Sequence, residues 1–208
     1  DDMHNYLSCE ISAEYLSKYL EKCDKKPTAL YVTSPDYLGN VADIKELADV
    51  CHKYGMLLIV DNAHGAYLEF LQNSMHPIKL GADICCDSAH KTLPVLTGGA
   101  YLHISKRADA SLVEAAKNSL ALFGSTSPSY LTLASLDLCN LYLEEKIQED
   151  LQRLLPAISK TKEMLMQKGW EVTGTEPMKI TIRCAGTEIA DRLRKHNIEC
   201  EYADRDFL

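Results

Sequence analysis

The sequence predicts an α/β protein: a mixed, mostly parallel sheet with helices, followed by long helices and a small α+β tail. Three observations predict it. Short apolar runs alternate with amphipathic helical patterns over the first two thirds of the chain. An early strand–helix–strand unit favours parallel pairing, because parallel strands need a crossover. Polar residues with chemical potential follow three predicted strands, where open α/β sheets place their ligands.

The elements follow in order. Residues 29–33, Ala-Leu-Tyr-Val-Thr, are a short strand run that ends at Ser34-Pro35, and Tyr37-Leu38-Gly39-Asn40 is a turn. Asp43 and Glu46 form an Asp-x-x-Glu capping box, which satisfies open N–H groups at a helix start. Ile44, Leu47, Ala48 and Cys51 then recur at the spacing of one helical face. Lys53-Tyr54-Gly55 stops that helix with a glycine. Residues 56–60 are wholly apolar, so the two strands are expected to lie parallel and buried on both faces. Residues 82–86 and 100–104 read as strands, the second after a Gly98-Gly99 turn. Residues 109–122 read as a helix, 124–128 as a polar loop, and 130 to about 168 as long helix with a bend near Glu144-Glu145-Lys146. Trp170-Glu171-Val172 and Lys179-Ile180-Thr181-Ile182 read as strands, 187–195 as a helix and 198–202 as a final strand. The expected division is residues 1–145, part of a large domain with a linker helix, and residues 146–208, part of a small C-terminal domain. Both are expected to be incomplete: the chain opens on Asp1-Asp2 without Met and stops on Asp206-Phe207-Leu208.

Composition narrows the function classes. The 208 residues are 46% hydrophobic and 25% charged, as in ordinary globular proteins. A net charge of −8 without a basic run argues against nucleic acid. No apolar stretch approaches the roughly 18 residues of a membrane span, so no membrane partner is expected. No repeat or low-complexity tract is visible, and no signal peptide is expected. The eight cysteines, Cys9, Cys23, Cys51, Cys85, Cys86, Cys139, Cys184 and Cys200, include no C-x-x-C pair. They read as reduced, mostly buried thiols of a cytoplasmic protein. No Cys/His set has zinc-ligand spacing, so no metal is expected. His4, His52, His76, His103 and His196 read as incidental.

Three features sit at predicted strand ends: Ser34-Pro35-Asp36-Tyr37, Asp61-Asn62-Ala63-His64 and Ser88-Ala89-His90-Lys91. Each residue has a bland reading. Lys91 alone is a surface lysine, Asp61 a helix N-cap, His90 a packed spacer and His64 a structural hydrogen-bonding group. Together they supply one acid and one amine, each near a histidine. That pair suits pyridoxal 5'-phosphate (PLP), which needs an amine for its aldehyde and a carboxylate at its pyridine nitrogen. It also needs hydroxyl and N–H donors at its phosphate. Lys91, Asp61 and Ser88 can fill these roles.

The succession Asp-x-Ala-His, Ser-x-His-Lys and Thr-Leu-Pro-x-Leu-Thr-Gly resembles the fold type I PLP enzymes, specifically the ornithine/lysine/arginine decarboxylase group. The resemblance is closest over residues 30–128 and weaker over Glu199-Cys200-Glu201-Tyr202-Ala203-Asp204. It implies a fold type I large domain followed by a small α+β domain. It implies that Lys91 forms the Schiff base and Asp61 partners the pyridinium, with His90 the third catalytic residue. Ser88 and His90 would contact the phosphate and Ala63 the ring. His64 and Ser34 complete the cofactor-binding set. The loop 124–128, with Ser125 and Thr126, resembles one that reaches the neighbouring subunit's phosphate, which implies a homodimer with shared sites. The bland reading of Ser125, Thr126 and Ser127 is capping of a helix beginning near Pro128. The group often has Thr where this chain has Asp36, so Asp36 carries over no role. A glycine-rich phosphate loop and a ring-stacking residue have no match in this sequence.

The reaction implied is removal of the α-carboxylate of a basic amino acid. An aldolase or hydroxymethyltransferase of the same fold type ranks below it, because no arginine follows the Lys91 motif. A catalytically silent homologue ranks third, because Asp61 and Lys91 are both present.

Overall fold

The Asp43 carboxylate accepts the Glu46 N–H at 3.0 Å and starts a helix, α2 (Ile44–Lys53), as its capping box predicts. The structure is a computed structural model and describes Ser8 and residues 10–208; the Asp1-Asp2 start, His4 and Cys9 lie outside the described residues. Two compact units make up the chain. One holds residues 10–35 and 42–148, the other Ser8 and residues 36–41 and 149–208.

In the first unit, α1 (Ala13–Lys22) leads into β1 (Ala29–Thr33), and α2 leads into β2 (Leu57–Asp61). A 3-10 turn (Ala66–Phe70) and α3 (Pro77–Leu80) precede β3 (Ile84–Asp87). A one-turn helix, α4 (Ala89–Thr92), precedes β4 (Tyr101–Ile104); α5 (Ala110–Phe123) and α6 (Tyr130–Glu145) follow. The sheet order is β1-β2-β3-β4. The first three strands are parallel and β4 is antiparallel to β3.

The core lies on one face of this sheet. Leu16 and Leu20 of α1 and Ile44, Leu47, Ala48 and Cys51 of α2 pack with Val32, Leu58 and Val60. Each fully buried leucine or isoleucine contributes about 1.5–3 kcal/mol. The strands alternate: Tyr31, Asp61 and Cys86 belong to the opposite face in the observed register. Tyr31 is 62% exposed there and Cys86 is also exposed. The expected burial of β1 and β2 on both faces is therefore corrected, since among the described residues only the α1/α2 face is packed.

The second unit holds most of α7 (Ile147–Gln167), an antiparallel pair of β5 (Glu171–Thr173) and β6 (Thr181–Arg183), and α8 (Gly186–Arg194). The long helical stretch breaks at Lys146, near the expected bend. Residues 198–202 do not form the expected strand. Residues 206–208 take that place, with Ile182 and Leu208 exchanging N–H···O bonds of 2.8 and 2.9 Å. The Asp204 carboxylate explains the shift. It accepts the Tyr202 hydroxyl and the Asp206 and Phe207 N–H groups, turning the chain before it can pair. The loop 36–41 belongs to this unit, where the Gly39 carbonyl accepts the Thr175 and Glu176 N–H groups at 2.8 Å each. No helix of the described residues is long and apolar enough to cross a membrane.

Candidate active site

Asp61 is the last residue of β2, one step beyond the predicted run. Its Oδ1 accepts the Ala63 N–H at 3.1 Å, a turn contact rather than a helix cap. Its Oδ2 accepts the Tyr31 hydroxyl at 2.9 Å. Partial burial and then this bond to Asp61 push the Tyr31 phenol above its ordinary pKa. Tyr31 is thus a site residue that the sequence pattern conceals, because a tyrosine at an alternating strand position looks like ordinary packing.

The neighbouring strand β3 delivers Lys91 through α4. Ser88 occupies the N-cap position, but its hydroxyl makes no capping bond. His90 is tied down: its Nδ1 lies 3.0 Å from the Gly99 carbonyl, so the ring donates there. Lys91 is exposed, and its Nζ lies 3.2 Å from His64 Nε2. The Asp61 and Lys91 turns therefore meet through His64. The half-buried Ala63 shares the first turn.

Other expected members stand differently. Ser34 is buried, its hydroxyl accepts the Ala42 N–H at 3.0 Å, and its N–H donates to the Asp61 carbonyl at 2.9 Å. It braces the strand end. Ser125 and Thr126 are exposed, and the Ser125 hydroxyl accepts the Ser127 N–H at 3.2 Å. The following helix takes Ser129 as its N-cap, without a side-chain bond, so the bland reading of Ser125–Ser127 as its caps does not hold. Asp36 turns onto its own loop: Oδ1 accepts the Asn40 N–H and Oδ2 the Asn40 amide, both at 2.8 Å.

Beneath the site lies a network that the sequence reading passed over. The buried Asp87, at the end of β3, accepts His76 Nε2 at 3.1 Å and His103 Nε2 at 3.0 Å through Oδ2. Its Oδ1 accepts the Asn62 amide at 2.7 Å and the Cys85 thiol at 3.5 Å. Burial alone would raise the Asp87 carboxyl, but the bonds from His103, His76 and Asn62 hold it well below the usual range. His76 and His103 are therefore structural partners rather than incidental. So is His52, whose Nε2 lies 3.0 Å from Asp83. The usable signal was an aspartate closing an apolar strand, which needs donors once buried.

Ligand atoms of His76, Cys85 and Asp87 all lie within 4.8 Å of one another, although no sequence spacing suggested a metal set. Their chemistry favours the hydrogen-bonded network. The Ile78 N–H donates to His76 Nδ1 at 3.3 Å, which leaves the ring proton on Nε2, facing Asp87. Burial and then Asp87 push the Cys85 thiol upward, away from the thiolate a metal takes. Among the described cysteines, Cys51, Cys85 and Cys139 are buried, Cys23, Cys184 and Cys200 are partly buried and Cys86 is exposed. The expectation of mostly buried thiols is corrected accordingly.

The donor set fits PLP. An exposed amine sits beside an imidazole acceptor, a carboxylate stands at the adjacent strand end, and a serine hydroxyl is left unused by its helix. Residues 3–205 match the family described as Orn/Lys/Arg decarboxylase, major domain. The chain is 35% identical over 193 residues to the uncharacterized protein YaaO of Bacillus subtilis, covering 85% of this chain and 40% of that protein. It is 29% identical over 194 residues to an arginine decarboxylase of Bacillus subtilis, covering 84% and 39%. The chain thus spans about two fifths of the length of these curated relatives. Among solved structures, serine palmitoyltransferase of Sphingomonas wittichii superposes with a TM-score of 0.75 at 16% identity, covering 94% of this chain and 52% of that one. That likeness supports the fold alone.

Proposed function

Because the chain belongs to the Orn/Lys/Arg decarboxylase family, we propose that it carries the PLP centre of an enzyme that removes the α-carboxylate of lysine, arginine or ornithine. The observation that carries this reading is the meeting of the Lys91 and Asp61 turns at adjacent strand ends, through the 3.2 Å contact between Lys91 and His64. PLP, when bound, supplies an electron sink for the negative charge that decarboxylation leaves at Cα. Lys91 would hold it through the aldehyde, Asp61 through the ring nitrogen, Ala63 against the ring, and Ser88 and His90 near the phosphate.

The chain's own groups then divide the work. The Asp61 carboxylate would keep a proton on the ring nitrogen, and Tyr31 and Ala63 fix the carboxylate's orientation through their hydrogen bonds. His64 Nε2 is positioned to accept a proton from the Lys91 ammonium, leaving the free amine that would hold the aldehyde. The His90 ring, fixed on the Gly99 carbonyl, holds the turn that presents Lys91.

The unit we propose is a homodimer with shared sites, in the cytoplasm. Support comes from α5 and α6, where Phe123 is 84% and Tyr130 88% exposed, with Leu122 and Leu131 beside them. Apolar surface of this kind, flanking the 124–128 loop, suits a second copy that receives Ser125 and Thr126. The test is incubation of PLP-loaded protein with lysine, arginine, ornithine, serine and threonine. Carbon dioxide release from one of the first three, with the matching amine, supports the reading. Aldehyde release or one-carbon transfer from serine or threonine would replace it with the aldolase class, and inertness with a silent homologue.

A further inference from the structure

Two turns must keep a fixed spacing for this site to work, and one buried hydrogen bond joins them at their bases. Asn62 directly follows Asp61, and Asp87 directly precedes the Ser88–Lys91 turn. The Asn62 amide donates to Asp87 Oδ1 at 2.7 Å, and both residues are buried. The last backbone link between these strands, Asn62 N–H to the Cys86 carbonyl at 2.9 Å, lies beside it. Beyond that point β2 has ended and β3 closes at Asp87.

Neither partner is free to swing. Asp87 Oδ2 is held from two sides by His76, ahead of α3, and by His103, on β4. Asn62 is fixed by its packing against Gly65, where a Cβ would fall 2.0 Å from Asn62 Oδ1. That Oδ1 is buried without a hydrogen-bond partner among the described residues, so the amide bonds through its donor side.

We propose that Asn62 and Asp87 are a positioning pair that sets the spacing of the Asp61 carboxylate and the Lys91 amine, with His76 and His103 locking Asp87 in place. The inference rests on the PLP reading and adds to it residues that touch no reacting atom. Their effect runs through geometry, and displacement of a catalytic group by even an ångström is costly in rate.

The test uses Asn62→Ala, which removes the link and leaves Asp87 its two histidines, with Asn62→Ser as the milder replacement. In cofactor-free protein, amide hydrogen exchange should rise about tenfold in residues 62–65 and 88–91 together, with residues 29–33 and 44–53 unchanged. In PLP-loaded protein, the visible absorbance of the lysine-bound cofactor should shift. The kcat should fall about 10- to 100-fold with KM within about threefold. Ser12→Ala, which removes the α1 cap and touches neither turn, should leave exchange in both turns and kcat as in wild type. Exchange that rises evenly over the sheet, or wild-type absorbance and kcat in both Asn62 variants, would overturn the pairing while PLP stays on Lys91 of wild type. Wild-type protein without PLP on Lys91 would overturn the functional reading and the pairing with it. Zinc bound in one equivalent, and lost in His76→Gln, would overturn it in favour of a metal centre.

Discussion

Asp61 and Asp87 are near neighbours in the fold with opposite duties. Asp61 is half-buried and offers its carboxylate to the open face of the sheet, and Asp87 spends its carboxylate inside. Asp61→Asn should retain part of the PLP binding but cost about 2–4 kcal/mol in the transition state, because a neutral amide cannot hold the ring nitrogen protonated; steady-state kinetics at saturating PLP measures it. Asp87 is expected to add stability that acid removes. Its folded pKa lies below the unfolded value of about 3.9. The stability it adds is therefore present above about pH 4 and is lost as pH falls through the folded value. In acid titration followed by circular dichroism, Asp87→Asn should be less stable at neutral pH and should depend less on pH below about 4. At this scale the succession holding Lys91 and Asp61 was legible in the sequence, and the structure brings the two turns together. The sequence concealed Tyr31, Asn62, Asp87, His76 and His103, whose importance depends on who sits across the sheet. Asp36 shows the same limit: nothing local announces that its carboxylate closes onto Asn40.

At the scale of elements, local signals were legible and competing ones were not. The Asp43 capping box and the Gly55 stop bracket α2 because both act within one turn of the chain. The expected strand at 198–202 failed because alternation alone cannot weigh the Asp204 turn that diverts it. Helix α1 escaped notice, although Ser12 caps it by accepting the Tyr15 N–H at 3.1 Å and Leu16 and Leu20 anchor it in the core. Ser12→Ala should cost about 1 kcal/mol in urea unfolding. Gly81 ends α3 at φ +119, and a Cβ there would meet Ala48 Cβ at 2.9 Å. Gly81→Ala should therefore destabilise by about 1–3 kcal/mol, through backbone strain and crowding of α2.

For the whole molecule, the proposed homodimer would link assembly to cofactor. The exposed apolar residues of α5 and α6 flank the loop expected to serve a neighbouring site. Phe123→Glu with Leu131→Glu should shift the protein from dimer to monomer in analytical ultracentrifugation and lower PLP affinity with it. Mixing Lys91→Ala subunits with subunits altered at Ser125 and Thr126 should restore activity in the hybrid, since one of its sites is then intact. The central claim is that Lys91 holds the cofactor, and borohydride reduction of the PLP-treated protein followed by peptide mapping tests it most directly. The account predicts the pyridoxyl group on Lys91, in one equivalent per chain. Label on another lysine, or spread over several exposed lysines, would contradict it.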